Sequence, residues 1–258
     1  MNTYLVSVII PCYNSGIYIK ECVDSILQQT YQDFEILITD DGSTDLSTIK
    51  LLQQIEQCDK RIKVFYVDGN NGPAAARNNS ITHAKGRYIA FCDSDDKWLP
   101  NKLSDQIPLF DNKDVAIVYS DYEKMDAQGK RNNRIVHAPK SLTYAKYLKG
   151  NTIGNLTGIY DTQKVGKVMQ KNIHHEDYVL WLDILRRGWT ALNTNTVTAV
   201  YRIHSNSITA NKLKLCTWQW YIYRRHEHLG LISSMYYYLH YAYRAFVCLL
   251  YTSPSPRD

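Results

Sequence analysis

No stretch of this 258-residue chain offers about 18 apolar residues in a row, so no membrane-crossing helix is expected. No basic and apolar leader precedes the first strand-like run, because Met1-Asn2-Thr3-Tyr4 enters it directly; no secretory signal is expected. None of the six cysteines (12, 22, 58, 92, 216 and 248) is spaced as C-x-x-C. That excludes a zinc knuckle and a disulfide framework, and they read as reduced thiols of a cytosolic protein. No internal repeat is visible. No G-x-G-x-x-G follows a strand, which sets aside a dinucleotide-binding oxidoreductase.

What is present suits a folded chain with one large core: 45% hydrophobic and 21% charged residues. The net charge of +5 is unevenly placed. Residues 1–200 carry 23 Lys/Arg and 23 Asp/Glu, whereas Tyr201–Tyr251 holds six basic residues against one acid, Glu227. A basic segment of this kind suits nucleic acid or an anionic membrane. No nucleic-acid motif accompanies it, so nucleic acid is not expected as a partner.

Short β-branched apolar runs at Val6–Ile10, Glu35–Thr39, Lys63–Val67, Tyr88–Cys92 and Val115–Tyr119 read as strands buried on both faces. Helical spacing between them covers Tyr18–Gln29, Leu46–Gln57 and Ala74–Ala84, with Pro73 suited to a first helical turn. This alternation predicts an α/β fold with a mainly parallel central sheet and flanking helices. Beyond residue 120 the pattern loosens. A turn is expected at Asp126–Asn133, a helix at Ser141–Lys149, a helix at Tyr178–Arg187 capped by Gly188, and a strand at Thr196–Tyr201. Residues 1–211 are read as one domain. Residues 212–251 form a helical, basic and aromatic appendage, and 252–258 a disordered tail or scar.

Polar clusters fall where such strands end, which is where α/β sheets bind ligands. Asp93-Ser94-Asp95-Asp96 puts three mutually repelling carboxylates at the end of the fourth strand. A divalent cation, Mn²⁺ or Mg²⁺, relieves that repulsion and binds phosphate oxygens beside one or two carboxylates. The plainer alternative is an acidic turn that caps a helix. Asp40-Asp41 after the second strand suits a nucleobase or a ribose, or an Asx turn. Asp177, in His174-His175-Glu176-Asp177, is either a general base or a helix cap, and a helix dipole there predicts a low pKa. His204 is a metal or phosphate ligand, or structural. Arg77 pairs with a phosphate or with one of the aspartates.

Six stretches then stand in one order: VSVIIPCYN, QTYQDFEILITDDGSTD (29–45), GPAAARN (72–78), GRYIAFCDSDDKWLP (86–100), HEDYVLWLDILRRG (175–188) and YRIHSNSIT (201–209). In this order the chain resembles the family 2 glycosyltransferases, over residues 5 to about 210. The resemblance implies the GT-A nucleotide-diphospho-sugar transferase fold. It implies that Pro11, Tyr13 and Asp41 hold the nucleotide base, usually uracil. Asp93, with Ser94 beside it, faces the ribose; Asp95 faces the metal, with Asp96 and His204 as further metal candidates. Asp177 takes the role of catalytic base, and the anomeric centre is inverted. The expected donor is a UDP-sugar carrying a hexose or N-acetylhexosamine. The expected acceptor is a glycan or lipid-linked glycan hydroxyl in bacterial surface-polysaccharide assembly.

The aromatic and basic residues of 212–251 suit a peripheral contact at the inner face of the plasma membrane, or a helical hairpin packed aromatic side inward. Two rival activities are a sugar nucleotidyltransferase and a non-catalytic nucleotide-sugar-binding protein. The first usually carries a Gly-rich basic loop after its first strand, where this chain has Pro11-Cys12-Tyr13-Asn14-Ser15. The retained Asp93, Asp95 and Asp177 argue against the second.

Overall fold

The computed structural model describes residues 5–204 and 212–252. Its strands are β1 (Val6–Cys12), β2 (Phe34–Asp40), β3 (Ile62–Tyr66), β4 (Tyr88–Phe91), β5 (Lys97–Trp98), β6 (Val115–Met125), β7 (Arg131–Val136), β8 (Ser141–Leu142), β9 (Ile159–Asp161) and β10 (Thr190–Arg202). The helices are α1 (Ile17–Leu27), α2 (Leu46–Cys58), α3 (Pro73–His83), α4 (Lys102–Gln106), α5 (Tyr144–Tyr147), α6 (Thr162–Val165), α7 (Glu176–Leu185), α8 (Lys212–Tyr221) and α9 (Leu231–Thr252).

The sheet runs β3-β2-β1-β4-β9-β6-β10-β5. Its first four strands are parallel, with Val8 opposite Ile36 on one side and Ala90 on the other. Here the sequence periodicity holds, because both faces are covered. Val8, Ile10, Ile36 and Ile38 pack with Ile19, Cys22 and Leu52 of α1 and α2. Ile9, Leu37, Ile89 and Phe91 pack with Trp181 and Leu185 of α7. Beyond β4 the sheet is mixed. β9 runs antiparallel to β4 and β6, and β6 is again parallel to β10. Three-residue β9 has too little sequence to announce itself. The predicted helix at 141–149 divides into β8 and the single turn α5, since Ser141 and Leu142 are claimed by pairing with β10. The predicted turn at Asp126–Asn133 ends early, because Arg131 already belongs to β7.

α7 is the central helix of the second layer. Eight consecutive residues from Tyr178 to Leu185 are buried, so the helix is covered all round rather than along one stripe, with Asp183 the one charged residue in the run. Trp181 lies so close to Gly158 that a Cβ there would sit 2.3 Å from its ring, which reserves that position for glycine. Gly188, with φ of +94°, ends the helix as expected, its N–H donating to Leu185.

The C-terminal segment folds back on this layer. A π-helical turn, Ile222–His226, joins α8 towards α9, and its Ile222 and Tyr223 belong to the core cluster around α7. Tyr223 donates to the carbonyl of Leu148, and Tyr144 donates to Glu227. The inward-packing alternative therefore holds for this turn. Cys12, Cys22 and Cys92 are buried free thiols, and Cys58 is an exposed one. No described helix is long and apolar enough to cross a membrane.

Lys102 carries a buried amine on α4. Its Nζ donates to Gln106 and, at 2.8 Å, to the carbonyl of Thr157, tying α4 to the loop before β9. Burial pushes its pKa down to about 7, against an ordinary value of about 10.4. Between these values the unfolded chain holds a proton that the folded chain has released, so this residue's contribution to stability rises with pH. The difference in unfolding free energy between the parent and Lys102→Met is expected to shift in favour of the parent from pH 7 to pH 10, measured by denaturant titration. A difference independent of pH would remove Lys102 from this role.

Candidate active site

The ends of β1, β2 and β4 deliver the polar loops. Asn14, itself left-handed at φ +47°, accepts from the N–H groups of Thr44 and Asp45 and so fixes the loop after β2. Asp40 accepts from the N–H and the hydroxyl of Ser43, closing the turn after β2, and Asp45 caps α2 through Ser47 and Thr48. The turn and cap expected of this acidic stretch thus fall to Asp40 and Asp45. Asp41 is used differently. Its two oxygens accept from Asn71 N–H at 3.1 Å and Gly72 N–H at 2.7 Å, drawing the loop before α3 against the end of β2. Gly42 must be glycine here: φ is +73° and a Cβ would lie 2.8 Å from the Gly69 carbonyl oxygen. Pro11 lies near the end of β1, and the Tyr13 ring beyond it is 44% exposed.

The four residues after β4 face different partners. Asp93 pairs with Arg77 at 2.6 Å. Ser94 Oγ shares a hydrogen bond with Ser15 Oγ at 2.7 Å. Asp95 meets His204 Nε2 at 2.9 Å. Asp96 is 1% exposed and accepts from the Arg202 N–H at 2.8 Å, while its second oxygen is buried without a hydrogen-bond partner. Burial pushes Asp96 well above the ordinary carboxylate range, and the charges of Asp95 and Asp93 add to this. Burial and Asp93 likewise raise Asp95, with His204 offsetting part. An unpartnered buried carboxylate oxygen among like charges is a donor set that a hard divalent cation fits.

Arg77 does what one of its two alternatives foresaw. The guanidinium, 6% exposed, pairs with Asp93, with Glu176 at 3.0 Å and with Gln170 at 3.0 Å. It therefore joins the loop after β4 to the first turn of α7. That turn is set up by His175, held in the left-handed region at φ +62° without a side-chain cap, so Glu176 and Asp177 open the helix. Asp177 accepts from Asn151 Nδ2 at 3.0 Å, and Asn151 accepts from the buried Tyr147 hydroxyl at 2.7 Å. The low pKa expected of Asp177 is corrected. Burial raises it, Asn151 offsets part, and the neighbouring Glu176 charge raises it further. Desolvation outweighs the lowering by Asn151 and by the Tyr178 N–H at the start of the helix.

Two cavities meet at Glu176 and Asp177. One, of about 340 Å³, also exposes Asp93, Arg77, Asn155 and Tyr201. The other, of about 870 Å³, is walled by His174, Pro73, Trp218 and Tyr221, with His174 stacked on Trp218 at 3.8 Å. An acid placed between a cavity beside the Asp93 loop and a second one lined by aromatics is placed to take a proton as a group passes from one to the other.

Sequence reasoning missed Asn151, Tyr147 and Arg202. The first two lie in the variable stretch after residue 120, without a motif. Arg202 stood inside YRIH, yet only the fold reveals that its Nε donates to the Asp95 carbonyl and its Nη2 to Glu21. Residues 205–209 of that stretch lie outside the described residues. Asp183, His226 and Glu227 offer ligand atoms within 4.8 Å of one another. Lys171 and Arg186 already balance those two carboxylates, so the cluster clamps the π-helical turn to α7 rather than inviting a cation.

Residues 7–183 match the profile of glycosyl transferase family 2, and the chain belongs to that family. It is 40% identical over 242 residues to TuaG of Bacillus subtilis (strain 168), a glycosyltransferase provisionally named for teichuronic acid biosynthesis; this covers 93% of the chain and 96% of TuaG. It is 39% identical over 224 residues to WfgD of Escherichia coli, covering 85% of each, and that protein is named a UDP-Glc:alpha-D-GlcNAc-diphosphoundecaprenol beta-1,3-glucosyltransferase. In fold it is similar to the mannosyltransferase PcManGT of Pyrobaculum calidifontis, solved with GDP-Man and Mn²⁺. The TM-score is 0.70 at 17% identity, covering 99% of this chain and 78% of that one.

Removing Arg77 leaves Asp93 and Glu176 facing each other's surroundings without a counter-charge. Arg77→Met is expected to lower the unfolding free energy by about 3–5 kcal/mol, the usual cost of breaking a buried ion pair from one side. Denaturant unfolding measures this, and a loss under about 1 kcal/mol would show the bridge to be dispensable.

Proposed function

We propose that this glycosyltransferase is an inverting, divalent-metal-dependent hexosyltransferase. It moves a hexose or N-acetylhexosamine from a UDP-sugar to a hydroxyl of a lipid-linked glycan, in bacterial surface-polysaccharide assembly at the inner face of the plasma membrane. The observation that carries this reading is Asp177 at the junction of two cavities, one of which it shares with Asp93. The name of WfgD supports the donor and acceptor classes.

In this reading Pro11, Tyr13 and Asp41 line the base, and Asp93 and Ser94 approach the ribose. The carboxylate of Asp41 keeps lone pairs beyond the two taken by Asn71 and Gly72. Asp95, Asp96 and His204 would hold Mn²⁺ or Mg²⁺, which when bound supplies the charge that neutralises a departing diphosphate. Arg77 holds Asp93 and Glu176 at a set separation, and so registers the donor loop against the base. Asp177 accepts the proton of the acceptor hydroxyl while that oxygen attacks the anomeric carbon from the face opposite the diphosphate. A base raised by burial holds that proton better than an exposed aspartate. Asn151, fixed by Tyr147, keeps the carboxylate aimed.

Incubation with UDP-glucose, Mn²⁺ and a GlcNAc-diphosphoundecaprenol acceptor is expected to release UDP, and chelation by EDTA to stop it. Release unaffected by EDTA overturns the metal assignment. Asp177→Asn is expected to lower kcat by roughly 10²–10⁴-fold, the range for a lost general base; near-parental turnover would remove Asp177 from that role. Asn151→Ala removes a donor that favours the ionised form. The acid limb of its kcat/KM profile is therefore expected to move to higher pH than in the parent, and an unmoved limb separates Asn151 from the base.

A further inference from the structure

Large exposed apolar side chains are densest along the described sequence on α9. Six of them, Leu231, Ile232, Met235, Tyr236, Leu239 and Tyr243, fall within thirteen residues. Their spacing puts all six on one side of the helix. The opposite side is spent on the protein. Ser234 is buried, Tyr237 and Tyr238 pack on the α7 layer, and Tyr238 meets the Trp220 ring at 5.5 Å. The inward-packing alternative thus holds for one face of the helix, and the other face is open.

Charge identifies what suits the open face. α9 contains no Asp or Glu. Glu227, the one acid between Tyr201 and Tyr251, has a fully buried side chain engaged by Tyr144 and Arg186. Arg225 is exposed, and Lys149 reaches over the Tyr236 ring at 5.7 Å. An apolar face with tyrosines, a lysine over one of them and no acid on its helix matches the headgroup region of an anionic bilayer. The helix is too polar to cross one.

We propose that α9 lies along an anionic lipid surface with Ile232, Leu239 and Tyr243 inserted, and that this docks the Asp177 pocket beside the membrane. The placement of α9 gives the docking a use. Its Tyr241 ring lies against Gly150, the neighbour of Asn151, so the helix borders the loop that touches Asp177. An acceptor whose lipid stays in the bilayer then presents its sugar within reach of that pocket. This use rests on the lipid-linked acceptor proposed above; the docking itself does not.

The full-length chain is floated with phosphatidylcholine vesicles, with and without phosphatidylglycerol, and compared with Ile232→Glu/Leu239→Glu. Both substitutions are on exposed positions, and circular dichroism and thermal unfolding check the fold. The parent is expected to float with phosphatidylglycerol vesicles and less with pure phosphatidylcholine. The double variant is expected to bind about ten-fold more weakly or worse. Equal flotation of parent and variant, or a parent that stays at the bottom, overturns the proposal. A parent that does not float but runs as a dimer, with a monomeric variant, overturns it in favour of a second copy of the chain. UDP release from a short-chain, water-soluble acceptor is assayed on the same samples. It is expected to be equal in parent and variant; vesicle binding without any UDP release would leave the docking standing and remove the transferase reading.

Discussion

One guanidinium, withdrawn from water, holds two acidic groups that belong to different layers of the molecule. Arg77 reaches from α3 to Asp93 at the end of the parallel strands and to Glu176 at the start of α7. Desolvating an arginine is costly, and it is tolerated here because two carboxylates and Gln170 surround it. The consequence is geometric. The loop that carries Asp93, Asp95 and Asp96 cannot drift relative to the turn that carries Asp177 without unpairing a buried charge. Cavities belonging to two parts of the fold therefore meet at a fixed place.

Around this bridge the acidic groups are tuned by what surrounds them rather than by their number. Asp41 and Asp45 are answered by backbone N–H groups. Asp95 has an imidazole, and Asp96 keeps one oxygen unanswered in the interior. Such an orphan is costly in a stable fold and belongs where something else completes it. Asp177 lies between these extremes: burial raises its pKa, and the Asn151 amide and the Tyr178 N–H offset part of the rise. A second acidic cluster differs in the cations that face it. Asp183, His226 and Glu227 are balanced by Lys171 and Arg186 and serve to hold the C-terminal turn.

The parallel half of the sheet was legible because its residues meet the same demand on both faces. Val8, Ile10 and Ile36 answer one layer, and Ile9 and Leu37 the other. The candidate residues at the strand ends were legible for the same reason: Asp41 and Asp93 interrupt apolar runs at the points where the chain leaves the sheet. The second half was read less well. β9 has three residues, and β8 is a strand only because β10 lies beside it. Short segments take their conformation from partners, and no local propensity records a partner.

By itself the sequence determined the order of the elements, the positions of Asp93, Asp95, Asp96, Asp177 and His204, and the kinship those motifs declare. These are local properties, carried by composition and spacing along the chain. The tertiary structure decided which acids share surroundings and how strongly each holds its proton. It set Asn151 and Tyr147 beside Asp177, paired Arg77 with two carboxylates, and turned one face of α9 inward and the other out. Those outcomes depend on burial and on contacts between residues far apart in the chain, such as Arg77 and Glu176, 99 positions apart, and Glu21 and Arg202, 181 positions apart. Desolvation and charge pairing act through space, so only the folded chain defines them.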